Sequence, residues 1–286
     1  MWRSGICAAV LVLAGLSAAP GASAAGRPRC APPVEVSAIR VIRVERNGVL
    51  VLHDGRAANV EGILLPRGRR DHAPSFFAHR AVAALAELTR GHEVTLAARR
   101  PKEDRYGRLR AQVFVRQTNG EPWLQVAMLR RGLARVNIAP DRRECADELH
   151  AAEREARAAH TGIWASAVYA IRTPETLAGD RGTFQIVEGT VKSADVRGGR
   201  AYLNFGADWR TDFTATISPA DMKRFRASQI DPRRLAGMRV RVRGWIESLN
   251  GPEIEIADPE QIEILGPAVT PMPSPASGAL QEKRPR

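Results

Sequence analysis

Two short stretches concentrate the residue types that handle phosphate. In residues 59–70, NVEGILLPRGRR, a strand-like run leads into a loop carrying Arg67, Arg69 and Arg70; in residues 104–111, DRYGRLRA, Arg105 and Arg108 flank Tyr106. A guanidinium is planar, permanently charged and presents paired N–H donors, so arginines gathered from two loops can bracket a phosphate directly. Carboxylates also lie near in sequence: Glu45, Glu61, Asp71 and Asp104. Glu61 is two residues from Asn59, on the same strand face, and a relocated carboxylate pair of this kind could instead grip a hard divalent cation. Other chemistries are poorly supplied. The six histidines are scattered, with only His72 and His79 within seven residues of each other across a loop–helix join. There is no Cys-x-x-Cys, P-loop or Gly-x-Ser-x-Gly.

The elements around these stretches read as a small barrel with helices. Residues 36–48 and 49–55 are strand-like, with Asn47-Gly48 and Asp54-Gly55 as turn signals, and residues 56–65 form a third strand. Residues 76–90 have helical apolar spacing and are followed by Gly91. Strands at 92–100 and 107–116 follow, then helices at 123–134 and 144–160. Five strands and three helices in this order suit an OB-type barrel with flanking helices.

Four pieces of residues 36–165 resemble the staphylococcal (micrococcal) nuclease family. They are the hairpin VLVLHDG, the strand ending GILLP, the run DRYGRLRA, and LRRGLARV followed by a helix and TGIW. The resemblance implies a nuclease-like OB barrel with three flanking helices over 36–165. It also implies calcium-dependent phosphodiester hydrolysis, for which the family supplies two Asp ligands, a Glu base and two Arg. Carried over residue by residue, Arg108 matches one catalytic arginine, and Arg105 and Tyr106 match substrate-contacting positions. The other aligned positions depart: Asn59 replaces the second arginine, Arg67 replaces the base, and Asn47 and Leu64 replace the metal-binding carboxylates. The family's five side chains sum to about −1 before metal binds, whereas these five sum to +2. A divalent ion about 8 Å from one arginine, at an effective dielectric near 20, meets roughly 4 kcal/mol of repulsion. The expectation is therefore a degenerate catalytic site without bound metal or cofactor. It binds nucleic acid or another polyanion through Arg67, Arg69, Arg70, Arg105, Tyr106 and Arg108. The alternatives are an active Ca²⁺-dependent nuclease with a rebuilt site, and a non-catalytic envelope interaction module.

Residues 166–182 read as a linker or strap, and residues 183–265 as a second, five-stranded OB-like barrel with a short helix at 219–228. Two features of that barrel stand out. Arg239, Arg241 and Arg243 alternate with valines, a stripe suited either to nucleic acid or to docking on the first domain. The run YLNFGADWRTDFT (202–214) is similar to one that accompanies nuclease-like domains in secreted bacterial proteins. Tyr202, Trp209, Phe213 and Trp245 are available either for the core or for stacking. The proline-rich tail 266–286 reads as disordered.

The ends and the charge set the context. Residues 1–25 have the form of a secretory signal: Arg3, a short apolar run, then Ala22-Ser23-Ala24, with a membrane anchor as the alternative. No later segment is apolar enough to span a membrane. A secreted or periplasmic location follows, in which Cys30 and Cys145 either form a disulfide or remain two thiols. Lys plus Arg number 43 against 31 Asp plus Glu, a net charge of +12. Such a balance attracts nucleic acid, anionic lipid or acidic polysaccharide, or serves solubility alone.

Overall fold

The computed structural model describes residues 26–248 and 250–268. The signal-like residues 1–25 and most of the tail lie outside them. In the first half, seven strands appear: β1 (Val34–Val44), β2 (Leu50–Leu52), β3 (Ala57–Val60), β4 (Ile63–Leu64), β5 (Glu93–Ala97), β6 (Leu109–Val115) and β7 (Arg135–Val136). Five of them close into a barrel in the order β1-β2-β3-β6-β5. The β3–β6 pairing is parallel and the others antiparallel. The apolar residues of β2, β5 and β6, among them Leu50, Leu52, Leu96 and Phe114, fill its core. Three helices flank it: α1 (Ser75–Thr89), α2 (Leu124–Arg130) and α3 (Ala146–Ala158).

The expected single strand over 56–65 is broken at Gly62. Its φ of +85° favours glycine, and a Cβ there would stand 2.8 Å from Leu149 of α3. The chain therefore leaves the barrel after β3, and β4 pairs with β7 instead, Leu64 opposite Arg135. Cys30 and Cys145 form a disulfide that ties the chain before β1 to the start of α3.

Residues 166–182 form a strap. Tyr169 packs edge-on against Phe77 of α1 and donates its hydroxyl to Asp71 (3.3 Å), while Leu177 enters the second core. The second half contains β8 (Phe184–Thr190), β9 (Ser193–Arg197), β10 (Arg200–Asn204), β11 (Thr214–Ile217), α4 (Met222–Ala227), β12 (Met238–Trp245), β13 (Glu247–Ser248), β14 (Pro252–Glu255) and β15 (Ile262–Pro267). Where five strands were expected there are eight, arranged as a five-stranded sheet β13-β14-β11-β10-β9 and a three-stranded sheet β15-β12-β8. Leu203, Ala215 and Ile254 of the first and Val187, Val240 and Val242 of the second share one apolar core. Among the described residues no helix is long and apolar enough to cross a membrane.

Of the arginine stripe on β12, Arg243 docks on the first domain and the other two stay with their own sheet. Arg239 and Arg241 pair with Glu188 of the neighbouring β8. Arg243, only 2% exposed, reaches Glu153 of α3 (3.0 Å) and Glu263 of β15 (2.6 Å), and donates to the Val136 carbonyl (3.3 Å). Around it, Arg157 approaches Glu263 (3.5 Å), Arg143 donates to Glu260 (3.0 Å), and buried Arg135 bonds both Asp71 (2.9 Å) and the Phe184 carbonyl. Burial works against the charge on Glu153 and Arg243, but each other's proximity prevails: the carboxyl is held below its ordinary range and the guanidinium above.

Removing Arg243 takes from two carboxylates, one fully buried, their nearest cation, leaving only the more distant Arg157 and Arg241. Arg243→Met should therefore destabilise the chain by about 3–5 kcal/mol in chemical denaturation. His150, buried beside the same cluster, gives a pH signature. Burial and then the Arg243 charge push its imidazole down from 6.5 to about 4. The folded chain keeps it neutral while the unfolded chain takes up a proton below pH 6.5. The stability present above that pH is thus lost progressively as pH falls towards 4. The loss should reach about 2 kcal/mol by pH 5, and His150→Gln should flatten that part of the stability–pH curve.

Candidate functional site

The turn between β5 and β6 is built around one carboxylate. Asp104 Oδ1 accepts the backbone N–H of Tyr106 (2.8 Å) and Arg108 (3.1 Å). Its Oδ2 accepts from the Arg108 Nε (2.8 Å) and from Asn59 Nδ2 of β3 (2.9 Å). Gly107, at φ +72°, lets the chain reverse so that the Asp104 N–H bonds the Arg108 carbonyl (2.9 Å). Burial raises the Asp104 pKa, but the Arg108 side chain and the converging N–H donors outweigh it and bring it down to about 2. The carboxylate is therefore ionised throughout the physiological range, and the arrangement is rigid.

This hub sets the presentation of the residues around it. Arg105 and Tyr106 project from the tip of the turn, with Tyr106 64% exposed. The guanidinium carbons of Arg105 and Arg108 each lie 4.8 Å from the Tyr106 ring centroid. Two cations thus flank one exposed aromatic ring, and Arg108 Nη1 has no hydrogen-bond partner among the described residues. An anion is met here by charge and by donors, and a flat base by the ring.

The remaining aligned positions are differently engaged. The Asn47 side-chain oxygen accepts the Val49 N–H (3.1 Å) within a hairpin turn, and Leu64 presents hydrocarbon from β4. Arg67 is held by Asp71 (2.9 Å) and the Arg70 carbonyl (2.9 Å), and its guanidinium stacks 4.1 Å from the Trp245 ring of β12. No hydrogen bond, ion pair or ring contact among the described residues joins Arg67 to Arg105, Tyr106 or Arg108. Arg105, Tyr106 and Arg108 form one exposed patch, while Arg67 is engaged by Asp71, the Arg70 carbonyl and the Trp245 ring at the contact between the two halves. Arg69 and Arg70 are exposed on the 3-10 turn Gly68–Asp71. Trp245 as the partner of Arg67 had no signal in the sequence, whereas the four-residue spacing of Asp104 and Arg108 did signal their pairing.

The carboxylates that might rebuild a metal site are each committed to a guanidinium. Glu61 bonds Arg110 (3.0 Å), which also bonds Asp141 (3.0 Å). Asp71 serves Arg67 and Arg135, Asp104 serves Arg108, and Glu45 serves Arg43 (3.2 Å). Among the described residues, the carboxylate-and-histidine group close enough to share an ion is His150, Glu153 and Glu263, and Arg243 already neutralises it. The residues at the aligned metal positions, an amide already bonded to backbone and a leucine, do not fit a calcium ion.

No curated protein matches the chain. Residues 60–166, less than half its length, match the family model described as staphylococcal nuclease homologue. The matched segment begins at the last residue of β3 and contains β4 to β7 and all three flanking helices; β1, β2 and the rest of β3 complete the barrel. The similarity to staphylococcal nuclease homologues thus falls on the closed five-stranded barrel and its flanking helices.

Proposed function

We propose that the first domain is a nuclease-fold module that binds nucleic acid through its phosphates without hydrolysing it, in an oxidising compartment outside the cytoplasm. Domains of this family bind nucleic acids. The observation that carries the reading is the Asn59–Asp104–Arg108 hub with Arg105 and Tyr106 displayed above it, while Leu64 and Arg67 stand where hydrolysis needs carboxylates. Hydrolysis by water needs a cation to neutralise the phosphate and a base to deprotonate the nucleophile. Leucine offers no lone pair, and an arginine held by Asp71 takes no proton. What persists is the part that recognises the ligand: permanent cations beside an exposed ring. The Cys30–Cys145 bridge supports the compartment, since such bonds persist where thiols are not kept reduced.

The same geometry predicts the mode of binding. Contacts to phosphate carry no base information, so binding should be indifferent to sequence and steeply dependent on salt. Titrating labelled single-stranded DNA over a salt series should give a linear log–log plot, and Arg105→Ala should lower its slope by roughly one phosphate contact. Tyr106→Ala should weaken binding by about 1–3 kcal/mol while leaving the salt slope unchanged, the mark of a lost stacking platform. Denatured DNA incubated with the protein and Ca²⁺ should remain intact. Cleavage that a chelator abolishes would replace this reading with an active phosphodiesterase.

A further inference from the structure

The second domain carries a cleft of about 750 Å³ on the outer face of its five-stranded sheet. Strand alternation builds it. Tyr202 on β10 stands between Asp195 of β9 and Thr216 of β11, with Glu255 of β14 next in line; Asn204 stands between Ser193 and Thr214, with Glu253 beyond. The intervening residues Ala201, Leu203, Ala215 and Ile254 point the other way, into the core. The run YLNFGADWRTDFT is thereby split in two: Leu203, Phe205 and Phe213 are buried, whereas Tyr202, Asn204, Trp209 and Asp212 line the cleft.

The rim is fixed rather than loose. Asp212 accepts the Asp208 N–H (2.9 Å) and Asp208 accepts the Arg210 N–H (3.0 Å), closing the loop that carries Trp209. A Cβ on Gly206 would fall 2.0 Å from the Asp212 carboxylate, and one on Gly251, in the opposite hairpin, 2.8 Å from the Thr211 carbonyl. Two walls meet there with no room for a side chain between them. The loop nevertheless leaves the Trp209 ring 52% exposed at the mouth of the cleft.

Charge and hydrogen-bonding capacity define what fits. Five lining carboxylates, Asp195, Glu253 and Glu255 among them, face two arginines, Arg197 and Arg200. In a chain of net charge +12 this concavity has an excess of three negative charges, which disfavours phosphate and other anions. The carboxylates are not bare, however. Glu253 accepts from Thr216 (2.6 Å), while Glu255 faces Arg200 (3.6 Å) and Asp195 faces Arg197 (3.5 Å). Asn204 is fixed likewise, donating to Ser193 (3.0 Å) and accepting from Thr214 (3.3 Å). Donors and acceptors thus alternate across the floor. A cation would use only the acceptors and a phosphate only the donors; a sugar hydroxyl uses both. The electron-rich face of Tyr202, and the face of Trp209 that the Arg210 guanidinium 4.6 Å from its centroid does not cover, suit the weakly positive C–H hydrogens of a pyranose ring.

We propose that this cleft is a binding site for an uncharged oligosaccharide, with Trp209 and Tyr202 as stacking platforms and Asn204, Arg200 and Glu255 reading hydroxyls. The test uses the full chain with its disulfide intact. Maltohexaose, cellohexaose and N-acetylchitohexaose are titrated while tryptophan fluorescence and calorimetric heat are followed, with an oligothymidylate and spermine in parallel. At least one neutral sugar should bind saturably. Trp209→Ala should weaken it about tenfold or more and Glu255→Gln several-fold, with an unchanged melting temperature and unchanged oligothymidylate binding. The proposal is overturned if no neutral sugar binds, if sugar binding ignores both substitutions, or if Trp209→Ala instead weakens the oligonucleotide or spermine.

Discussion

A single buried guanidinium holds the two halves of the molecule in register. Arg243 leaves the second domain's three-stranded sheet and lies between Glu153 of α3 and Glu263 of its own sheet, with its remaining donor capacity directed to the Val136 carbonyl. A charge removed from water in this way is tolerated only where partners surround it, so the relative placement of α3, β7, β12 and β15 is fixed to hydrogen-bond precision. The contacts on either side follow from that placement. Arg135 reaches the Phe184 carbonyl, Arg143 reaches Glu260, and Trp245 lies beneath Arg67 across the same contact.

Arg135 and Arg142 are buried like Arg243 and are likewise matched to carboxylates or carbonyls. Arg67, in the loop after β4, is committed in the same way, holding Asp71 and stacking on the Trp245 ring.

Much of the fold was legible from sequence because local signals agreed with tertiary need. All three flanking helices lie where apolar spacing and terminal glycines place them, and the hairpin turns coincide with Asn47-Gly48 and Asp54-Gly55. The closed barrel and the bridge between Cys30 and Cys145 also stand as expected. Two things were not legible. The second half has eight strands instead of five because the strand-like patterning runs on through the junctions between β8 and β9, β12 and β13, and β14 and β15. The contacts of the DRYGR turn are local in sequence, whereas Arg67 stacks on Trp245, 178 positions away, a contact that no local pattern signals. The stripe at Arg239, Arg241 and Arg243 shows why: alternation reveals which residues share a face, not whether that face meets solvent or another domain.

The two concave or projecting surfaces that remain are of opposite character, and the interface keeps them apart. On the first domain, Asp104 cancels part of the charge of Arg108, leaving Arg105 and Tyr106 as the outward elements of a patch suited to weak, salt-sensitive contact with a flexible anion. On the second, a fixed floor of alternating donors and acceptors under a negative potential repels that same ligand. A polyanion running along the molecule would therefore be held at the first surface and excluded from the second. One chain can thus offer two ligand sites without competition between them, because the charge that recruits to one is the charge that clears the other.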